Sequence, residues 1–167
     1  MSKFVIVISI MIVVSACGYK PSSKYARNVL GNKINTSVVI SSENPENTVV
    51  IKDAVDTALV EIFHTSLTDR KHADTHLSIS LNVPKYTPIQ YNSDGFVVAY
   101  RATIVLQITR ESNSIKKRYI SKGTYDFSVL PNAVFTDQER FDAIKFGSAK
   151  AISSFIAQVS AEGSSSK

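Results

Sequence analysis

The stretch Asn92-Ser93-Asp94-Gly95-Phe96-Val97-Val98-Ala99-Tyr100-Arg101-Ala102-Thr103-Ile104-Val105-Leu106-Gln107-Ile108 decides how this chain folds. Its first four residues carry the turn chemistry of a hairpin: Asn, Ser and Asp side chains bond to nearby backbone, and Gly accepts a left-handed conformation. From Phe96 onward Phe96, Val98, Tyr100, Ala102, Ile104, Leu106 and Ile108 share one face. Val97, Arg101, Thr103, Val105, Gln107 and Thr109 share the other. Successive side chains of a strand point to opposite sides, so the pattern predicts a long strand with one apolar and one mixed face.

The flanking segments pair with it. Leu77, Ile79, Leu81 and Val83 alternate with Ser78, Ser80 and Asn82, the pattern of a half-buried strand. Pro84 and Pro88 follow, so that strand ends or bulges there. Downstream, Glu111-Ser112-Asn113-Ser114 makes a second turn. A further strand then places Tyr119, Ser121, Gly123, Tyr125, Phe127 and Val129 on one side, with Lys116, Arg118, Lys122 and Asp126 on the other. Together these segments form an antiparallel meander. Val38-Val39-Ile40, a short β-branched run within Thr36–Ile40, reads as an earlier strand.

Two segments change period. Ile51, Ala54, Val55, Ala58, Leu59, Ile62 and Phe63 recur at steps of three and four, opposite Lys52, Asp53, Asp56 and Glu61, as in an amphipathic helix. Asn47 or Thr48 caps its start. Thr136-Asp137-Gln138-Glu139 is a capping box. It opens a second stripe, through Phe141, Ile144, Ser148, Ala151, Ile152, Phe155, Ile156 and Val159. Each helix needs a sheet face to cover its stripe. The expectation is therefore an α+β two-layer sandwich: a sheet of about four mostly antiparallel strands with both helices on one face. The other face stays partly polar.

The N-terminus carries a different signal. Lys3, the apolar run Phe4–Val14 and the small residues Val14-Ser15-Ala16 have the layout of an export signal and lead directly into Cys17, the only cysteine. The run is shorter than the roughly 20 residues that span a bilayer core. A buried core strand is the other reading of such a run. Small residues ahead of an export-signal cysteine resemble the lipobox of bacterial lipoproteins, in which the thiol is acylated (palmitate among its chains) and becomes residue one. Residues 1–16 are then a signal peptide, 17–35 a lipidated N-terminus and tether, 36–161 the folded domain, and 162–167 a loose Ser-rich tail. Removal of the leader leaves 151 residues, enough for one domain that folds on its hydrophobic core without disulfides. Gly18, in place of the Asp that retains many lipoproteins in the inner membrane, points to the outer one.

Basic residues outnumber acidic ones 19 to 14. That balance suits phosphates or anionic head groups, and is too scattered to argue for nucleic acid. Candidate chemistry is sparse. His64, His72 and His76 lack an acidic or cysteine cluster and read as surface residues, so no metal and no cofactor are expected. No G-x-S-x-G, P-loop or H-E-x-x-H occurs, and no catalytic residue is assigned. One constellation is suited to bind: Lys116, Lys117, Arg118 and Lys122, with Arg101 and Arg110 nearby. Such groups match phosphorylated lipid head groups. The other reading is that they are edge-strand lysines that block sheet-to-sheet aggregation.

Taken with these features, the chain resembles the LptE family of lipopolysaccharide-assembly lipoproteins. The resemblance rests on Cys17-Gly18-Tyr19, on the strand Thr36-Ser37-Val38-Val39-Ile40 before a Pro-Asn bend and helix, on the hairpin through Asp94-Gly95 to Ala99-Tyr100, and on the capped final helix. It implies a sheet of about four strands backed by two helices, seated as a plug in the outer-membrane β-barrel LptD and assisting that barrel's assembly. It further implies lipopolysaccharide binding through basic residues. One such position falls near Lys122. The other falls near Asn92, which is uncharged, with Lys85 or Arg101 as substitutes. The candidate lipopolysaccharide-binding residues are thus Arg101, Lys116, Lys117, Arg118 and Lys122, and the lipidated residue is Cys17. Two rival expectations stand beside this one. The first is an auxiliary lipoprotein of another envelope machine (an ABC transporter, pilus or flagellum), and the second is a small lipid-modifying hydrolase.

Overall fold

The computed structural model describes residues 22–40, 53, 55, 57, 60–62, 67–113, 115–131, 133 and 136–165. The leader, Cys17-Gly18-Tyr19, the Asn47 or Thr48 cap and His64 lie outside them. Five strands form one sheet: β1 (Ile34–Ile40), β2 (Thr75–Leu81), β3 (Lys85–Tyr91), β4 (Val97–Ser112) and β5 (Ile115–Ser128). The long β4 organises the rest. Along one edge, Leu106–Glu111 pair antiparallel with β2 and Val97–Thr103 with β3. Along the other edge, β5 pairs antiparallel from Ala99 to Ser112 without a break in register. β1 joins β2 in parallel, so the sheet is mostly antiparallel with five strands, one more than expected.

The additional strand is β3. It continues β2 along the same edge of β4 after a gap at Asn82–Pro84, where Asn82 still donates its N–H to Val105 at 3.1 Å. Proline has no N–H for a ladder and is confined to edges and bulges. Pro88 sits on this edge strand, and the register shifts between Pro88 and Gln90. The turn from β3 into β4 is held by the Asn92 side chain, whose Oδ1 accepts the N–H groups of Phe96 (2.8 Å) and Asp94 (3.1 Å).

One face of the sheet is the core. Leu77, Ile79, Leu81, Ile104, Leu106, Ile108 and Tyr119 are buried there against Ile144, Ala151, Ile152, Phe155 and Val159 of α2 (Asp137–Ser165). The predicted capping box is formed: Glu139 Oε2 accepts from the Thr136 N–H at 2.6 Å, and Thr136 Oγ1 accepts from the Glu139 N–H at 3.2 Å. Of the earlier predicted helix, Asp53, Val55, Thr57, Val60, Glu61 and Ile62 are described and helical. Val55 is fully buried in the same core, and Glu61 pairs with Lys145 of α2 at 2.7 Å. Both predicted helices therefore cover the same face.

α2 lies unusually close to β5. The strand contributes Ser121 and Gly123 and the helix Gly147, Ser148 and Ala151, all buried. A Cβ at position 123 would collide with the Gly147 carbonyl oxygen and the Ala151 nitrogen, and one at 147 would collide with Ile104. Backbone touches backbone along this seam.

Two expectations are corrected at the ends of the domain. Residues 17–35 were assigned to a tether, yet Ser22–Leu30 form a helix, α1. Ala26 and Leu30 are buried and Tyr25 and Val29 half-buried, an i, i+4 stripe that the flanking Pro21, Ser22, Ser23 and Gly31 obscured. Residues 162–167 were read as a loose tail, yet α2 continues to Ser165. Gly163 is buried because α1 rests on it: a Cβ there would lie 2.5 Å from the Tyr25 carbonyl oxygen. The fold is thus an α+β sandwich of five strands with three helices on one face.

Candidate functional site

Among the described residues no helix crosses the second face of the sheet. Its rows follow from the register. Val39, Ser80, Gln107 and Ile120 line up across β1, β2, β4 and β5. Ser37, Ser78, Thr109 and Arg118 form the next row, and Val105 stands opposite Lys122. Most of these side chains are small and neutral, so the surface is polar but carries little charge of its own. Beside the half-buried Val105, two exposed apolar side chains interrupt it, Val39 at 53% and Ile120 at 63% exposure.

The basic candidates divide by face and by partner. Arg101, Lys116, Arg118 and Lys122 all lie on this open face, whereas Lys117, one residue out of phase, reaches round to the helix side. Arg101 forms a two-pronged pair with Asp126, both contacts 2.7 Å. The hydrogen bond from Arg101 holds the Asp126 carboxyl below the usual carboxylate range. Lys116 contacts Glu111 at 2.8 Å, and that hydrogen bond depresses Glu111 in the same way. Lys117 contacts Glu162 at 2.9 Å. Arg118 and Lys122 have no ion-pair partner among the described residues. They stand on either side of Ile120, four residues or about 13 Å apart along the strand.

The carboxylates that neutralise the other three cations were the part not assigned from sequence. Asp126 was visible in period two with Arg118 and Lys122, and its register with Arg101 follows once the Glu111–Ser114 turn is fixed. Glu162 had no such signal, because the helix was expected to have ended there.

Behind the sheet, Glu162 is the hub of a half-buried network. Its Oε2 accepts from Tyr119 at 2.7 Å and Lys117 at 2.9 Å, and its Oε1 lies 3.4 Å from Arg110. Arg110 is only 7% exposed and donates its other arm to the Val29 carbonyl at 2.9 Å. The hydrogen bond from Lys117 holds the Glu162 carboxyl down, against a smaller opposing effect of burial. Burial, with the bond to Glu162, pushes the Tyr119 hydroxyl up to about 12. This network joins α1, β4, β5 and α2.

His76 faces the open side at the foot of β2, bonded to Asn35 at 2.7 Å and within 3.3 Å of Ser37. Burial, then the charge of Arg70, lowers its pKa. His72 is exposed, and no group of three or more metal-binding side chains occurs among the described residues. Nor is any helix among them long and apolar enough to cross a membrane.

In class, this is a helix-backed α+β sheet with one uncovered face on which two cations flank an apolar side chain. The LptE family model, described as lipopolysaccharide-assembly, matches residues 35–159. The chain belongs to that family. Among solved structures it is similar to a lipoprotein candidate from Caulobacter crescentus CB15, at 8% identity and a TM-score of 0.51, covering 86% of this chain and 98% of that one. Weaker likenesses include a minor lipoprotein from Acinetobacter baumannii (9% identity, TM-score 0.43, 80% and 94% covered). Rare lipoprotein B from Shewanella oneidensis is another (10%, 0.39, 79% and 92%). No curated protein sequence matches the chain.

Proposed function

We propose that the chain is a non-enzymatic, acylated outer-membrane lipoprotein that plugs an LptD-like β-barrel, assists its assembly and holds lipopolysaccharide on the uncovered sheet face. Family membership supports the setting. The observation that carries the lipid contact is the Arg118–Ile120–Lys122 triplet, two cations without an ion-pair partner among the described residues beside an exposed apolar side chain. An amphiphile with two phosphates and acyl chains needs that combination: a charge-assisted contact for each phosphate, and apolar area that shields the chains from their neighbours. Arg101, Lys116 and Lys117 already have carboxylate partners, so a phosphate gains less from them. The neutral Ser, Thr and Gln rows suit a surface facing the polar lumen of a barrel.

The test is lipopolysaccharide binding by the purified lipoprotein, together with recovery of a barrel partner from detergent extracts. Arg118→Ala with Lys122→Ala is expected to weaken binding at least tenfold with little change in Tm, since both side chains are exposed. Lys117→Ala is expected to leave binding within twofold. Undiminished binding by the double variant removes the lipid site, and absence of any outer-membrane barrel from the extract removes the plug.

A further inference from the structure

The two ends of the sheet differ in chemistry. At the β3–β4 turn Ile89, Tyr91, Phe96 and, beside them, Leu130 are exposed, along with Gln90, Ser93 and Asp94, and no Lys or Arg lies between Ile89 and Phe96. At the β4–β5 turn basic side chains are exposed. Arg70 (71% exposed) and Lys116 (68%) flank Glu111, Lys117 is half exposed, and Lys33 and Lys71 are exposed. Ile115, 61% exposed, stands among them. A cleft of about 480 Å³ joins Arg70, His76, Glu111, Asn113, Ile115 and Lys116.

Two of the carboxylates at this end, Asp74 and Glu111, are committed to local contacts. Asp74 accepts the N–H groups of Asn32 at 2.9 Å and Lys33 at 3.0 Å, and Glu111 bridges Arg70 and Lys116. Arg27, Lys33, Arg70, Lys71, Lys116 and Lys117 stand against Asp69, Asp74, Glu111 and Glu162. The balance is positive.

The length of chain ahead of α1 tells which end faces the membrane. α1 is fixed at the basic end by the Arg110–Val29 bond, and its following turn by Asp74. Four residues stand between Cys17 and Ser22, so the span from one to the other is at most about 17 Å, and nine helical residues add about 13 Å. The sixteen residues of β4 carry the opposite turn about 53 Å away. Acyl chains on Cys17 therefore hold the basic end, not the aromatic one, beside the bilayer.

We infer that the β4–β5 end is a membrane-facing collar, in which Lys33, Lys71 and the Arg70–Glu111–Lys116 cluster, two cations sharing one carboxylate, rest on anionic phospholipid head groups of the anchoring leaflet and Ile115 enters the head-group boundary. This rests on the lipoprotein reading but not on lipopolysaccharide or a barrel. Each basic residue near an anionic surface shifts the docked population roughly fivefold.

The test uses the full lipidated chain in phospholipid vesicles free of lipopolysaccharide and barrel. Acylation consumes Cys17, so Asn32→Cys or Ser93→Cys gives a single thiol for a fluorophore at either end. The vesicles carry a head-group quencher. With phosphatidylglycerol present, the dye at 32 is expected to be quenched several-fold more than the dye at 93. The excess is expected to shrink in pure phosphatidylcholine and at about 1 M salt, where the Debye length is ~3 Å. Lys33→Gln, Arg70→Gln, Lys71→Gln and Lys116→Gln combined should remove it, and the salt and lipid comparisons read the same quantity without substitution. Equal quenching at both ends, or an excess indifferent to lipid charge, overturns the collar. A chain that does not float with vesicles lacks its anchor, which overturns the lipoprotein reading and the collar together. A chain that floats but fails to bind lipopolysaccharide overturns only the proposed function.

Discussion

At the scale of single residues, Glu162 does more than any other charged group to close the fold. It faces Arg110, Lys117 and Tyr119 at once, and a charged group in such a site is worth roughly 1.5–3 kcal/mol per bond to a charged partner before solvent screening. Glu162→Gln keeps the shape but leaves Arg110 buried without its counter-charge. The expected cost is about 2 kcal/mol, or roughly 4–8 °C in Tm for a domain of this size. The pH dependence has a definite sign. The folded Glu162 titrates below its ordinary value of 4.5, so its stabilisation is complete above that value and is lost as pH falls through the lower, folded value. Thermal melts of wild type and Glu162→Gln should therefore differ fully at pH 6–7 and converge as the pH is taken below 4.5 and through the depressed folded value. A gap that stays constant through that range would assign the loss to packing instead of charge. Arg118 and Lys122 have the opposite character: they are exposed and without carboxylate partners among the described residues, so on the proposed function they serve binding and add little to stability.

At the scale of elements, the contact between α2 and β5 is set by what is missing from it. Gly123 and Gly147 let the helix backbone settle onto the strand, and Ser121, Ser148 and Ala151 keep the rest of the seam thin. Gly123→Ala places a methyl against main-chain atoms that have no rotamer to yield. Overpacking of this kind costs about 1–3 kcal/mol, so a Tm lower by roughly 3–10 °C is expected in calorimetry. An unchanged Tm would mean that α2 can lift off the strand without penalty.

The elements also show what the sequence made legible. Period-two runs at Leu77–Val83, Phe96–Ile108 and Tyr119–Val129 identified three strands, observed at Thr75–Leu81, Val97–Ser112 and Ile115–Ser128, because alternation separates their two faces. The capping box at Thr136 located the start of α2 for an equally local reason. β3 was harder to see: it is exposed at nearly every position and contains Pro88, so no alternation marks it although Tyr86, Thr87, Ile89 and Tyr91 favour strands, and its pairing with β4 and the contact of Tyr86 with Phe127 hold it in place. α1 was masked by Pro21, Ser22, Ser23 and Gly31, whose turn signals outweighed a stripe only two turns long. At the site, alternation placed Arg101, Lys116, Arg118 and Lys122 on a common face. Which of them are neutralised depended on tertiary partners, and for Glu162 no periodicity could supply one.

At the scale of the whole molecule, a dry core on one side of the sheet and a polar face on the other define a domain with a direction. The lipid-anchored reading makes a simple expectation of the intact cell. Cys17→Ser should shift the protein from the membrane to the soluble envelope fraction with its Tm unchanged, since residue 17 precedes α1. Retention in the membrane pool would mean that something other than the acylated thiol anchors the domain.

The seat of α1 against Gly163 has a consequence for the order of events during export. The chain leaves the cytoplasm N-terminus first, so the opening helix emerges long before the groove that receives it. That groove is made of Glu162, Gly163 and the end of β4, and it exists only after the final turns of the last helix have been translocated. On the lipid-anchored reading, α1 therefore waits undocked for nearly the whole of secretion and seats only at its close. A nascent chain halted short of residue 162 would be tethered to the bilayer by a segment with nowhere to dock.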